Sequence, residues 1–579
     1  MEYVRKMKTY ILAALSAGAV MLYEGIRVTN VLSFPLVFCV FILLNRSPRL
    51  NEKRDRIIAY IVAMIIDMFI FLRGTQVLHE YDMNGLEKAF ALIVMLTGFF
   101  IIVERTLEIV YLYADRVIVL CNEGDKATLR LGVSFAIILA CWTPFYLWSF
   151  PGIVTSDSTT QILQALNRTY SNHHPVIQTW LILAVWRVTS SFTESLNVLV
   201  ACCTILQSFF MAFTFAYVVY ILGKNKVRKS ICILILLYFA ITPYNIMMSI
   251  NMWKDTLFSA GFLLFLVGIW QLTKEKNAQN ILLIIVGGVI LCMFRNNGWY
   301  SFVASLPFII IRFWKKRKDI CAAVIVVLAV AIGFRGPVFK AFNVAEPNVV
   351  ESLAIPMQQI ANVISNGKEL TDEEISAISE VIEIEKIPKT YDAQCADYIK
   401  NLILIKGNTD AIVRNKSLYF LTWLKIGIRN PGLYLEAFVG QTEGYYNPDI
   451  QRWQYTQGVW DTQMPIENIP LLPNSICQAL KWYVSDWLYR IPILGMIKSI
   501  GFFVWLMFSM LGLCILKRKY ENAVLFVPLI AYWGTVIIAT PVYAEFRYIY
   551  CLFTAMPVLL ILSLEPREIE APILQKVSN

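Results

Sequence analysis

The sequence predicts an all-α polytopic membrane protein with about fourteen transmembrane helices. Three observations lead there. First, 58% of the 579 residues are hydrophobic, 13% are aromatic and only 16% are charged, too little polar surface for a water-facing globule. Second, apolar runs of roughly 16 to 25 residues recur from end to end, each near the length that crosses about 30 Å of hydrocarbon as a helix. Third, Lys and Arg cluster in short stretches between these runs, the pattern that orients membrane helices. That placement accounts for the net charge of +10 without a nucleic-acid partner, and none is expected.

The elements follow in order when the basic N-terminus is placed in the cytoplasm. The run 10–23 reads as a retained first span rather than a cleaved signal. Spans near 10–23 and 29–45 return the chain to Arg46, Arg49, Lys53, Arg54 and Arg56 on the inside. Spans near 57–72 and 89–103 lead back to Arg105, and the segment with Glu108, Asp115 and Arg116 reads as an interfacial helix. A span at 131–150 then delivers Asp157 to the outside. Val176 to Ser190 is apolar, but counting it as a crossing would place Lys224, Lys226, Arg228 and Lys229 outside. It is therefore expected to be an outer-surface or re-entrant helix.

Spans near 197–222 and 231–250, and the pair that follows around Lys274 and Lys276, leave Lys254, Asp255 and Arg295 outside and Arg312 to Lys318 inside. After a span near 319–335 comes an outer, mainly helical region. Within it, Ser417 to Ile428 is too short and too charged to cross. Spans near 497–516, 522–540 and 549–564 close the chain, with Glu545 and Arg547 outside. The expected organisation is 1–130, additional helices with the interfacial segment; 131–335, a transmembrane core with its first outer loop at 151–196; 336–496, an extracytoplasmic domain; and 497–579, the last spans and a cytoplasmic tail. No internal repeat is evident. Most of the twelve cysteines sit in apolar runs without metal-ligand spacing. Cys395 and Cys477 lie in the polar region, where a disulfide is open.

This threading puts Asp157, His173, His174, Lys254, Asp255, Arg295, Glu545 and Arg547 on one face, although their sidedness was not used to build it. Ionisable groups at span ends on one side are what a membrane-surface site requires; polar residues also flank helices everywhere. Asp157 could cap the helix that Ile162, Leu163 and Leu166 announce. Ser158 with Gln161 already suggests a capping box, which would leave the Asp157 carboxylate to act as a general base. His173 and His174 precede Pro175 and either begin a turn or assist the site. Lys254 and Asp255 could be an interfacial pair. Arg295 and Arg547 suit an anion, because guanidinium clamps phosphate with two parallel hydrogen bonds, and Glu545 could hold Arg547 in place. Tyr445, Tyr446, Trp453, Tyr455 and Trp460 could stack on sugar faces, but aromatics also settle at membrane interfaces for packing alone.

These motifs resemble the GT-C superfamily of membrane glycosyltransferases. The similarity lies in Ser156-Asp157-Ser158 with His173-His174-Pro175, in Asn251 to Asp255, in Phe294-Arg295-Asn296-Asn297-Gly298, and in Tyr543 to Tyr548, and it spans roughly residues 131–565. It looks closest to a poorly characterised bacterial branch. The resemblance implies a GT-C-like core in which Asp157 is the catalytic base and Arg295 and Arg547, with Lys254, bind the phosphate of a polyprenyl-phosphate-linked sugar. His173, His174, Asp255 and Glu545 would support them. The chain lacks the paired acids that some members carry after the loop aspartate, so the need for a divalent cation stays open.

The expected function is therefore an inverting glycosyltransferase of the cell membrane, acting on the extracytoplasmic face on an envelope polymer, lipid or protein acceptor among membrane lipids. Physical logic leads the same way: beyond the cytoplasm an activated sugar must arrive on a lipid, and its departing phosphate needs cations at headgroup depth. A transporter or flippase for a lipid-linked or envelope precursor, or a ligase moving a glycan from a diphosphate lipid, is the alternative.

Overall fold

A computed structural model describes residues 2–26, 30–114, 116–117, 120, 128–315, 317–450, 452, 458–459, 464–485, 490–539 and 542–566. Among these, regular structure is helical, with isolated β-bridges in place of strands. Eight helices are at least 18 residues long and apolar enough to cross a membrane, and a ninth crossing arises if Lys229–Ile241 and Pro243–Ile250, bent by 50°, form one broken span. Other helices in the expected stretches are shorter, among them Ser33–Arg46, Ala278–Met293 and Ile500–Leu516. By length and composition the described helices thus carry eight or nine crossings, where about fourteen were expected.

The chain divides into two compact units: 1–121 with 505–526 and 557–579, and 122–504 with 527–556. This partition differs from the four expected segments in grouping the early helices with two late stretches.

The first unit is built on Glu2–Tyr23, Ser33–Arg46, Lys53–Val77 and Gly85–Ala114. Ala13, Ala17 and Val40 pack together, and Tyr10 stacks on Phe41 at 4.1 Å. Gly85–Ala114 is one unbroken helix of 30 residues, not a span followed by an interfacial helix. Arg105 and Glu108, one turn apart, form a buried ion pair at 2.7 Å, and Arg105 also donates to the Leu44 carbonyl at 3.1 Å. Charges that read as a polar break are instead paired inside the packing. Asp115 lies outside the described residues.

In the second unit Lys254–Lys274 is the most enclosed of the long helices. It packs on Ala278–Met293, where a Cβ on Gly287 would collide with the Phe265 backbone and one on Gly261 with Ile290. Close backbone approach of this kind is how helices associate where lipid removes the hydrophobic drive between them. Val176–Thr189 has 14 residues, short of a crossing length, and buries Ile182, Leu183 and Val185 against Ile162, Leu199 and Val200. The region between the helices Lys318–Ala341 and Ile500–Leu516 has its own aliphatic core, including Ile378, Ile399, Ile403 and Ile426. Each such side chain, if its burial is complete, contributes roughly 1.5–3 kcal/mol. Lys416–Arg429 is a packed helix of 14 residues there, as its length and charge imply. Cys395 and Cys477 are free thiols.

Candidate functional site

Four helices of the second unit begin at one place. Asp157 lies in the first turn of Ser156–Asn167, Lys254 and Asp255 open Lys254–Lys274, Arg295 precedes Asn296–Phe313, and Glu545 precedes Phe546–Leu564. Helix N-termini carry partial positive charge and unpaired N–H groups, so their convergence favours an anion.

Backbone pairing fixes the aspartate. Ile153 N–H donates to the Ile250 carbonyl at 2.9 Å, and Met252 N–H returns to Ile153 at 3.0 Å. Gly152, with φ +135°, sits where a Cβ would collide with Thr204. Ser158 Oγ donates to the Met252 carbonyl at 2.9 Å and Trp253 Nε1 to Thr155 Oγ1 at 2.8 Å. The helix starts earlier than the sequence suggests: Thr155 is the N-cap, and Ser158 is its capping-box partner. Gln161 takes no part in the box and points to Pro175 and Thr179.

The Asp157 carboxylate is not left free. Its Oδ2 accepts from Arg547 Nη1 at 2.8 Å and from Lys254 Nζ at 3.1 Å, with His174 Nδ1 at 3.9 Å. Lys254 Nζ also lies 3.0 Å from His174 Nδ1. Burial raises the Asp157 carboxyl, but Lys254 and Arg547 outweigh it and hold it well below the usual carboxylate range. Burial first, then the Lys254 charge, drives His174 down to about 2. His174 is thus neutral at physiological pH, and its Nδ1 can accept from the ammonium.

Arg547 is held from several sides. Its Nε is 3.3 Å from Glu545 Oε1, and its guanidinium lies 4.9 Å from the Trp253 ring centre and 5.2 Å from that of Tyr548. Arg295 stands 4.7 Å from the same Tyr548 ring and forms an ion pair with buried Asp255; among the described residues, Asp255 Oδ2 has no hydrogen-bond partner. Burial lowers the Arg295 guanidinium, but the Asp255 carboxylate outweighs it and keeps it above its ordinary range. Burial raises Glu545 despite Arg547. Three cations therefore face three carboxylates, and Glu545 takes a proton more readily than Asp157 does.

Seven of the eight expected residues thus meet around Asp157 and Tyr548. His173 is the exception: it is exposed, turns to Glu351 at 3.6 Å, and touches the cluster only through its edge contact with the His174 ring. The sequence reading missed Trp253 as the platform under Arg547. It also missed Arg335, which donates to the Cys292 carbonyl at 3.0 Å and to Asn296 Oδ1 at 3.2 Å; its signal was an arginine at the end of an apolar run. Tyr445 and Tyr446 are fully buried, and Tyr445 donates to the Val542 carbonyl and accepts from Glu545 N–H. Tyr445 braces the site, and neither buried ring offers a face to a sugar. Trp453, Tyr455 and Trp460 lie outside the described residues. Among the described residues no group of three or more His, Cys, Asp or Glu side chains is gathered for a metal ion.

Fold and site together define a multi-pass helical membrane protein with a charge-balanced cluster where its core helices begin. The chain belongs to DUF6020, a family of unknown function, whose model matches residues 135–572 and so contains the whole cluster. Comparison with curated proteins and with solved structures gives no match.

Proposed function

We propose that the protein is an inverting glycosyltransferase with a GT-C-type core, moving a sugar from a polyprenyl-phosphate donor to a cell-envelope acceptor on the extracytoplasmic face. The observation that carries this reading is the sharing of one Asp157 oxygen by Lys254 and Arg547, with Arg295 alongside on Tyr548. A carboxylate, a cation clamp and neighbouring helix N-termini are the parts that phosphate departure and acceptor activation need. Sidedness has its own support. Lys224 and Lys274 close the helices Leu196–Lys224 and Lys254–Lys274 at the ends remote from the cluster, as cytoplasmic charges would.

In this reaction the donor phosphate engages Arg547, Lys254 and Arg295, drawing them from their carboxylates. Asp157, relieved of its cations, regains basicity. It takes the proton from the acceptor hydroxyl as that oxygen attacks the anomeric carbon. The bond from that carbon to the phosphate oxygen breaks on the opposite face, and polyprenyl phosphate leaves with the electron pair, its charge held by the arginines. The sugar inverts. His174, neutral, accepts from Lys254 and keeps the ammonium directed at the site. Glu545 can take up a proton while Arg547 is turned to phosphate.

The test is transfer of radiolabel from a polyprenyl-phosphate sugar by the purified protein in detergent. Asp157→Asn is expected to lower transfer about 10²-fold or more while the protein stays folded. A wild-type protein that moves the donor across a bilayer and leaves its sugar–phosphate bond intact refutes the proposal.

A further inference from the structure

The region between Lys318–Ala341 and Ile500–Leu516 forms a half-open pocket of about 450 Å³, within the roughly 300–1,000 Å³ range of ligand sites. Its wall is almost wholly aliphatic and aromatic, with Met357, Ile360, Ile378, Ile403, Ile412 and Trp423 prominent. A polar ligand group inside would lose its hydrogen bonds to water without replacement. An apolar cavity of about 150 Å³ holds one benzene, so this one has room for a chain on the order of fifteen to twenty carbons.

The helix Lys416–Arg429 forms one side. Its inner face supplies Tyr419, Thr422 and Trp423 to the cavity, while Leu421, Leu424 and Ile428, at helical spacing, are exposed on the other. An exposed apolar stripe on a helix with flanking basic residues suits a membrane surface. Three of its neighbouring cations are matched by acids: Arg414 to Glu380 at 3.7 Å, Lys425 to Glu373 at 4.0 Å and Arg429 to Glu374 at 2.5 Å. Lys416 differs. It is exposed, lines the cavity, and has no ion-pair partner among the described residues.

We propose that this cavity binds the hydrocarbon chain of a single-chain anionic lipid drawn from the membrane, with its carboxylate or phosphate head at Lys416. The site is separate from the transfer reaction and stands whether or not that reaction occurs. It is nonetheless joined to the cluster by a short segment: Val349 and Leu353 line the cavity, and Glu351 between them faces His173.

The test uses the full-length protein in phosphatidylcholine nanodiscs, titrated with dibrominated stearate, whose bromines quench tryptophan on contact. A saturable component of quenching, removed by Trp423→Phe, is expected. Palmitate and farnesyl phosphate are the two competing probes, and the better competitor identifies the head group; hexadecanol, which lacks the charge, competes less well. Lys416→Gln, at an exposed position, is expected to weaken binding about three- to fivefold. Quenching that rises without saturation, is unchanged by Trp423→Phe, or is displaced by neither anionic probe overturns the proposal.

Discussion

Replacing Asp157 with asparagine sets two consequences of one contact against each other. The carboxylate neutralises Lys254 and Arg547, whose side chains are 11% and 16% exposed, while its own is 21% exposed. Arg547 keeps Glu545 in the variant, so the uncompensated charge falls mainly on Lys254. Removing one partner of a buried pair costs about 3–5 kcal/mol, and the partial exposure here lowers the expected loss of stability to about 2–3 kcal/mol. The same change removes the anion that an incoming phosphate must displace. A charge-assisted hydrogen bond contributes about 1.5–3 kcal/mol, so Asp157→Asn should bind farnesyl phosphate at least tenfold more tightly than the natural protein. The assay is thermal unfolding of the purified protein at pH 7.5 across a farnesyl phosphate titration, reading the baseline midpoint and the half-saturating concentration separately. A variant that is less stable yet binds the anion no better refutes the argument that Asp157 occupies the phosphate clamp.

Arg547→Lys keeps the charge but loses the planar group lying against Trp253 and Tyr548; farnesyl phosphate binding should weaken about tenfold in the same titration. His174 has its own pH signature. With its pKa lowered from 6.5 to about 2, the folded state binds fewer protons there than the unfolded one, so stability falls as pH drops below 6.5. The slope is about 1.4 kcal/mol per unit. Asp157 acts in the same sense in a lower window: its depressed pKa contributes stability that is present above 3.8 and lost as pH falls below it. Between pH 6.5 and 4.5, His174→Gln should therefore gain up to about 2.5 kcal/mol relative to the natural protein, read from paired denaturation curves, and a constant difference would contradict the assignment. Gly287→Val drives a side chain into the Phe265 backbone and should cost at least 3 kcal/mol, visible as loss of monodisperse protein on size-exclusion chromatography.

What could be read from the sequence was which residues would share a face; what could not was how they pair. Counting charges between apolar runs assigned Asp157, Lys254, Arg295 and Arg547 to one side, because that count depends only on order along the chain. The contact of Asp157 with Lys254 and Arg547 spans 97 and 390 residues, and no local pattern announces it. Likewise the helix Gly85–Ala114 was read as two pieces because Arg105 and Glu108 are polar taken singly and become compatible with the interior only as a pair. Thr155 rather than Ser158 begins the helix at Asp157 because Ser158 is engaged by the Met252 carbonyl, a tertiary contact that local capping statistics do not include. Tyr445 and Tyr446 could have been surface or core on composition; for Tyr445 the Glu545 N–H and the Val542 carbonyl decide for the core.

The Asp157–Arg547 contact also orders biogenesis. The aspartate emerges early in synthesis, whereas its guanidinium partner arrives only with the helix Phe546–Leu564. Until that helix inserts, the nascent polypeptide carries a carboxylate matched by Lys254 alone. A ribosome stalled or a reading frame truncated before codon 547 would release an incomplete clamp, a defect that membrane surveillance proteases could recognise by its unmatched charge.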